Sequence, residues 1–373
     1  MSYSFFHYCV DATIALSIVC QLLSHAAVEE NLSSFFSTPL FSFYLTSSFY
    51  YYFIFQLGHV FEIFMHRTAV KFEVSFTIIK ILMVTFQLSW LFGDVSLISC
   101  FPNETFMNMF DVQQHYKRYV YINSTLVTLV GSIFYWHVFD LMLDNIKDIR
   151  FFLLIAAGVP LFFIFFTPYL LGLKLDTNLF FTIVSIIPIF FSMFTPIVTP
   201  VLCVNKRKLL PTILFYVYAF LNGTIIYLPL YQRFQPNNNV NIIILVELFS
   251  AGTLISLVFL SLVINTKYLD WFSIATTALS CICFTTWIFV TNAVPAIQYV
   301  HAFFFGLSVV STQVITYARV KVDGIGDNLV LSLVTLAGPF LLNYIYFNSD
   351  AYVISIVFVW VSLVLEAILL WIK

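Results

Sequence analysis

The sequence predicts an all-α, polytopic membrane protein with about twelve transmembrane helices. Apolar residues make up 61% of the chain and charged residues only 9%, a balance far outside that of soluble domains. The apolar residues form segments about as long as the roughly 20 helical residues that cross a bilayer. Strands of a membrane β-barrel would alternate apolar and polar residues, and these segments do not alternate.

The predicted spans follow one another with short polar connections. They cover residues 9–28, 40–65, 72–99, 119–143, 151–173, 178–203, 209–231, 241–264, 269–291, 296–318, 327–347 and 351–372. Breaks such as Glu29-Glu30-Asn31 and Asn348-Ser349-Asp350 would be heavily penalised in hydrocarbon. The longest connection, at about 101–118, has fewer than twenty residues, so no extramembrane domain is predicted.

Basic residues are divided unequally between alternate connections. One set contains Arg67, Lys71, Lys147, Arg150, Lys206, Arg207, Lys208, Lys267, Arg319, Lys321 and Lys373, whereas the other contains Lys117, Arg118, Lys174 and Arg233. Because cytoplasmic connections retain Lys and Arg, this asymmetry predicts that both termini are cytoplasmic. The lipid bilayer is the expected partner. The net charge of −2 gives no indication of nucleic-acid binding, and no obligate protein partner is inferred.

The most basic connection, Lys206-Arg207-Lys208, follows the sixth predicted span. It divides the chain into an N-terminal six-helix bundle, 1–205, and a C-terminal six-helix bundle, 206–373. Two such bundles joined on the cytoplasmic side are the plan of major-facilitator-type transporters, whose binding sites lie between the halves. The sequence therefore predicts a 6+6 major-facilitator-like bundle.

Few ionisable residues lie within the spans, where each costs roughly 2.5–3.5 kcal/mol on insertion scales. His59 and Glu62 are three residues apart in the second span, and His137 and Asp140 are three apart in the fourth, so each pair shares a helix face. Lys80 lies near the same end of the third span. These residues are predicted to form a gating or coupling cluster near the cytoplasmic side; side chains that snorkel to satisfy helix ends are the alternative.

Two isolated carboxylates and several polar side chains complete the predicted site. Asp11 and Glu247 are candidates for proton or cation coupling, or are protonated or hydrated carboxylates. The first, fourth, seventh and tenth helices line the cavity of a major-facilitator-type fold, and interhelical hydrogen bonding is the alternative role for their polar residues. The predicted substrate contacts are Gln21, Asn123, Ser132, Trp136, Asn222, His301 and Gln313.

The stretch 122–134, INSTLVTLVGSIF, resembles the fourth helix of equilibrative nucleoside transporters, in which Asn-Ser is followed by Gly-Ser and an aromatic residue. The resemblance implies a major-facilitator-like bundle that moves nucleosides or nucleobases. It also implies that Asn123, Ser124, Gly131 and Ser132 face the permeation path. The Pro-Trp-Asn pattern found in the first helix of that family is absent here.

No phosphate-binding loop or nucleophile elbow is present, so an ATP-driven pump is disfavoured and a gradient is the expected driving force. The sequence predicts a secondary transporter or facilitator that moves a small polar solute across a membrane by alternating access. No cofactor is predicted. No metal is predicted either, because Cys281 and Cys283 have no ligand partners nearby in the sequence. The alternative function is a multi-pass glycosyl- or acyltransferase that uses Glu29-Glu30 or His137. A seven-helix receptor would leave five spans unassigned.

Overall fold

In the computed structural model, every regular element among the described residues is a helix. The structure describes mainly 56–68, 72–100, 129–141, 209–225, 242–291, 293–322, 326–337 and 351–372, with a few isolated positions between them. The chain forms two compact units. Unit 1 comprises Met1–Leu141 and Pro168–Pro200, and unit 2 comprises Met142–Thr167 and Val201–Lys373. The division that the sequence predicts after residue 205 stays a prediction.

Three described helices belong to unit 1 and six to unit 2. In unit 1, α1 covers 56–68, α2 Phe72–Cys100 and α3 Leu129–Leu141. Unit 2 contains α4 (Leu209–Ile225), α5 (Ile242–Val263), α6 (Leu269–Thr291), α7 (Pro295–Val322), α8 (Asn328–Ala337) and α9 (Ala351–Ile372). Five of the nine, α2, α5, α6, α7 and α9, have 22 or more residues, which is enough to cross a bilayer.

Two helices extend past the predicted ends of their spans, so the first residues of the following predicted connections are helical. The second span was predicted to end at residue 65, but α1 continues to Thr68, whose hydroxyl donates to the carbonyl oxygen of Phe64. The tenth span was predicted to end at 318, but α7 continues to Val322. His66, Arg67 and Arg319 therefore lie on helices rather than in loops. Hydropathy ends a span where polar residues begin, whereas a helix continues as long as its backbone hydrogen bonds can form.

Many large apolar side chains of the described residues are exposed, while several charged side chains are buried. Large apolar side chains such as Trp271, Phe289 and Trp371 face outward, with Trp371 88% exposed. Charged side chains such as Glu62 and Glu366 are fully buried. This arrangement suits hydrocarbon as the surrounding solvent, because intramembrane charges face the interior of a bundle. The segment Leu269–Thr286 of α6 is long and apolar enough to cross a membrane, and shorter apolar stretches occur in α3, α4, α5, α8 and α9.

Helices α5 and α7 cross unusually closely in unit 2. A Cβ atom placed on Gly252 would overlap the carbonyl oxygen of Phe303, and one placed on Gly306 would overlap that of Phe249. At the same crossing, the hydroxyl groups of Ser256 and Ser311 contact each other. Small residues of this kind let transmembrane helices approach and associate. The crossing holds the two helices together through backbone contact rather than through large side chains.

The connection before α8 is built around two adjacent residues. Gly326 adopts φ 86°, which an L side chain rarely tolerates. The Oδ1 atom of Asp327 then accepts the backbone N–H of Leu329 at 2.9 Å, as an N-cap residue does. The backbone N–H of Asp327 itself donates to the hydroxyl of Tyr216 on α4 at 2.7 Å. The start of α8 is therefore attached to α4.

Candidate functional site

Unit 1 contains a buried cluster of histidine and carboxylate side chains. His59, Glu62 and His66 follow one another at spacings of three and four on α1, which places them on one helix face. Across from them, α3 contributes His137 and Asp140. The Oε1 atom of Glu62 lies 3.2 Å from Nε2 of His66 and 3.3 Å from Nδ1 of His137. Two imidazole rings on different helices thus share one carboxylate oxygen.

Aromatic rings surround this cluster and fix its histidines. The ring of His59 stacks on that of Trp136, with centroids 4.0 Å apart and planes 12° from parallel. The ring of His137 lies 4.1 Å from that of Phe76 on α2. Trp136 is buried and serves as the stacking partner of His59. A substrate contact by Trp136 stays a prediction.

The approach of α1 to α3 depends on two small residues. A Cβ atom on Gly58 would overlap both side-chain heavy atoms of Ser132. The hydroxyl of Ser132 donates to the carbonyl oxygen of Leu129 at 2.7 Å. Ser132, a predicted substrate contact, therefore occupies a helix–helix interface and has a local hydrogen-bond acceptor. Its small side chain lets the histidines of α1 and α3 meet.

Lys80 on α2 is buried, as is Asp140 on α3. The sequence predicted that Lys80 pairs with Glu62 or with Asp140. Glu62 lies at ion-pair distance from His66 and His137. His66 reaches Glu62 because α1 continues past the predicted end of the span. The pairing of Lys80 with Glu62 or with Asp140 stays a prediction.

Unit 2 contains a second cluster of charged side chains, which connects three helices. Arg319 on α7 places Nη2 3.2 Å from Oε1 of Glu366 on α9. Ser273 on α6 donates its hydroxyl to the same carboxylate oxygen. Asp270, also on α6 and about one-third exposed, lies 3.9 Å from the guanidinium. Arg319 therefore has one buried and one partly exposed carboxylate within reach.

The sequence interpretation missed this group. Hydropathy places Arg319 in a loop, and it does not single out Glu366 although this is the one charged side chain in Ala351–Ile372. A carboxylate alone in an apolar helix is a functional signal in its own right, because hydrocarbon makes it costly. Asp270 stands in the first turn of α6, where a carboxylate commonly stabilises a helix N-terminus. Arg319 lies on a helix because α7 extends past residue 318, where the predicted span ends.

The other predicted site residues are distributed along the chain. The side chain of Asn222 on α4 accepts a hydrogen bond from Ser362 on α9 at 2.7 Å, and Nε2 of His301 on α7 lies 2.7 Å from the carbonyl oxygen of Cys283. Both contacts join helices of unit 2. Glu247 is partly exposed on α5, and Gln313 belongs to α7. Asp11, Gln21 and Asn123 lie outside the described residues.

No family model and no curated protein sequence matches this chain. Its structure is similar to that of the human organic anion transporter MFSD10 (TETRAN), with a TM-score of 0.61 and 10% identity over 98% of both chains. It is also similar to a bacterial homologue of the iron transporter ferroportin in the outward-facing state. The structure of that homologue with soaked iron has a TM-score of 0.53 and 12% sequence identity, over 95% of this chain and 97% of that chain. A second structure of the same protein in the outward-facing state has a TM-score of 0.53 and 13% sequence identity, over 96% of this chain and 97% of that chain.

These similarities establish the fold. The chain is an all-α, polytopic membrane protein with the architecture of major-facilitator-type transporters. The predicted fold class is confirmed. The comparisons give no support to the equilibrative nucleoside transporter family specifically.

Proposed function

We propose that this protein is a secondary transporter that moves a small solute across a membrane by alternating access. The observation that carries the proposal is the similarity of nearly the whole chain to solved transporters, since 98% of each chain is matched in one comparison. The sequence also lacks a nucleotide-binding motif, so a solute or ion gradient is the expected energy source.

Buried charged groups within each unit support this function. In hydrocarbon such groups are costly, and they typically mark substrate or ion pathways and their gates. Arg319 can reach Glu366 or Asp270, which belong to different helices. We propose that exchange between these two carboxylates accompanies rearrangement of α6, α7 and α9 during transport. The predicted gating role of Lys80 and Asp140 in unit 1 remains part of the same proposal.

The class of solute is a separate question. The names of the similar proteins indicate an organic anion for one and iron for the other. The nucleoside prediction rests on the stretch 122–134, of which Ser132 lies at the contact with Gly58. It therefore has no further support from the described residues. Organic anions and metal ions are the classes to test first.

A multi-pass transferase is the alternative function. The proteins with similar structures are transporters and not enzymes, which favours transport. An enzyme converts its substrate, whereas a transporter changes only the compartment in which the solute is found. Chemical analysis of the solute on both sides of a membrane therefore separates the two functions.

The test is a solute screen on the purified protein in sealed liposomes. Liposomes with and without protein are incubated with an isotope-labelled mixture of organic anions, nucleosides and metal salts, under imposed proton or sodium gradients. We expect at least one chemically unchanged solute to accumulate inside in a protein-dependent and saturable manner. Conversion of a solute into a new product without net accumulation would support the transferase instead.

A further inference from the structure

The buried cluster of unit 1 brings together more metal-binding groups than helix packing requires. The potential ligand atoms of Glu62, His66 and His137 all lie within 4.8 Å of one another. The same holds for those of His59, Glu62 and Asp140. Glu62 belongs to both groups. Helix α1 supplies three of these five residues and α3 supplies the other two.

The spacing of the first group suits a single metal ion. Ligand nitrogen and oxygen atoms lie about 2.0–2.2 Å from zinc in tetrahedral sites, so neighbouring ligand atoms are separated by about 3.4 Å. Nε2 of His66 and Nδ1 of His137 lie 3.2 and 3.3 Å from Oε1 of Glu62. These separations are close to those that a bound ion would impose.

The second oxygen of Glu62 provides an independent observation. The side chain is completely buried, and its Oε2 atom has no hydrogen-bond partner within the described part of the chain. Leaving a buried carboxylate oxygen without a partner costs free energy, about 1–3 kcal/mol or more for a charged group. A cation beside Glu62 would remove this cost. The carboxylate is thus preorganised for a positive ligand.

Charge and ligand type define which cation fits. Glu62 and Asp140 contribute two formal negative charges, and the buried Lys80 on α2 contributes one formal positive charge. With neutral imidazoles, these side chains retain one net negative charge. Imidazole together with carboxylate suits first-row divalent transition metals, whereas Ca²⁺ and Mg²⁺ prefer oxygen ligands alone.

The surroundings of the ligands match those of metal sites. The ring of His137 packs against Phe76, and the ring of His59 stacks on Trp136. Such apolar partners hold ligand rings in place and exclude water. The overlap that a Cβ on Gly58 would create with Ser132 shows how closely α1 and α3 approach beside the cluster. The ligand-bearing helices are therefore held together before any ion binds.

We infer that Glu62, His66 and His137 form a binding site for a first-row divalent transition-metal ion, with His59 and Asp140 beside it. The sequence did not predict a metal site, because the ligands come from two helices and His66 was assigned to a loop. The inference concerns binding and does not require that the ion be the transported solute. Failure of metal binding would therefore leave the proposed transport function standing, and failure of transport would leave the site standing.

The test measures metal binding to the purified full-length protein in detergent. The protein is stripped with a chelator, and Zn²⁺ is titrated by calorimetry while the bound metal is counted by elemental analysis. We expect one tightly bound Zn²⁺ per chain. We expect Glu62→Gln and His66→Gln to weaken binding by at least about 100-fold, because direct ligands matter more than the outer partners whose loss costs 10–100-fold. His115→Gln, which removes a histidine of a predicted outer connection, is the matched control and should bind as wild type.

A second measurement covers the case in which the variants do not fold. X-ray absorption spectroscopy of the zinc-loaded wild type should show nitrogen and oxygen ligands, including two imidazoles, and no sulfur. Absence of bound zinc in folded wild-type protein would overturn the inference. So would a sulfur ligand, or zinc binding that is unchanged in folded Glu62→Gln and His66→Gln variants.

Discussion

Arg319 and Glu366 form a buried ion pair between α7 and α9, with Nη2 and Oε1 3.2 Å apart. Arg319 is 2% exposed and Glu366 is completely buried. Ser273 of α6 donates a hydrogen bond to the same oxygen, so the pair connects three helices of unit 2. Removing either partner would leave the other charge uncompensated in a low-dielectric interior. That state is more costly than the absence of both charges.

We therefore predict strong coupling between these two residues. Arg319→Met and Glu366→Gln should each lower the stability of the purified protein by about 3–5 kcal/mol, and the double variant should recover part of the loss. Thermal unfolding in detergent, analysed as a double-mutant cycle, measures the coupling. Glu247→Gln is the matched control, since it neutralises a partly exposed carboxylate on α5. Additive losses in the cycle would show that the pair contributes no net interaction.

The crossing of α5 and α7 should not tolerate any side chain at its two glycines. Gly252→Ala would place Cβ on the backbone carbonyl of Phe303, which no side-chain substitution can move away. We expect a loss of at least about 1–3 kcal/mol, because the helices must separate. Val258→Ala, on the exposed face of α5, is the control and should have little effect on helix packing. Wild-type thermal stability of Gly252→Ala would contradict the close approach of the two backbones.

The contact between Gly58 and Ser132 differs, because the atoms in the way belong to a side chain. Gly58→Ala should destabilise the protein, since the new Cβ overlaps the Oγ and Cβ atoms of Ser132. Ser132→Gly removes both of these atoms. The double variant Gly58→Ala, Ser132→Gly should therefore be more stable than Gly58→Ala alone. Thermal unfolding of the three variants measures the rescue, and its absence would mean that α1 and α3 are not in contact there.

The charge asymmetry predicts the orientation of the chain. Even without Arg67, Arg319 and Lys321, which lie on α1 and α7, the cytoplasmic set contains eight basic residues against four in the other set. The asymmetry is therefore kept, and we expect both termini to be cytoplasmic. A cysteine placed at Arg207 should not react with an impermeant reagent added to intact cells. Rapid labelling of this cysteine from outside would show that the chain has the opposite orientation.

Much of the fold was predictable because a bilayer imposes simple rules on composition and length. Helices α6 and α9 have the bounds 269–291 and 351–372 that hydropathy predicts. Helix ends were less predictable where polar residues continue a helix, as at His66 and Arg319. The spacing of His59, Glu62, His137 and Asp140 predicts shared faces on α1 and α3, and ligand atoms of these residues lie in two close groups. Which residues pair across helices depends on packing, however, and Gly58 and Gly252 carry no signal of their contacts in a single sequence.

The most direct test of alternating access is trans-acceleration in proteoliposomes, using whichever solute the screen identifies. Liposomes are preloaded with the unlabelled solute or with buffer, and the initial uptake of labelled solute is measured. In a carrier with alternating access, the binding site returns to the outer side faster when it carries solute than when it is empty. Preloading should therefore accelerate uptake in the presence of the protein. Uptake that is unaffected by preloading would indicate a channel, and a chemically altered solute would indicate an enzyme. Either result would contradict the proposed function.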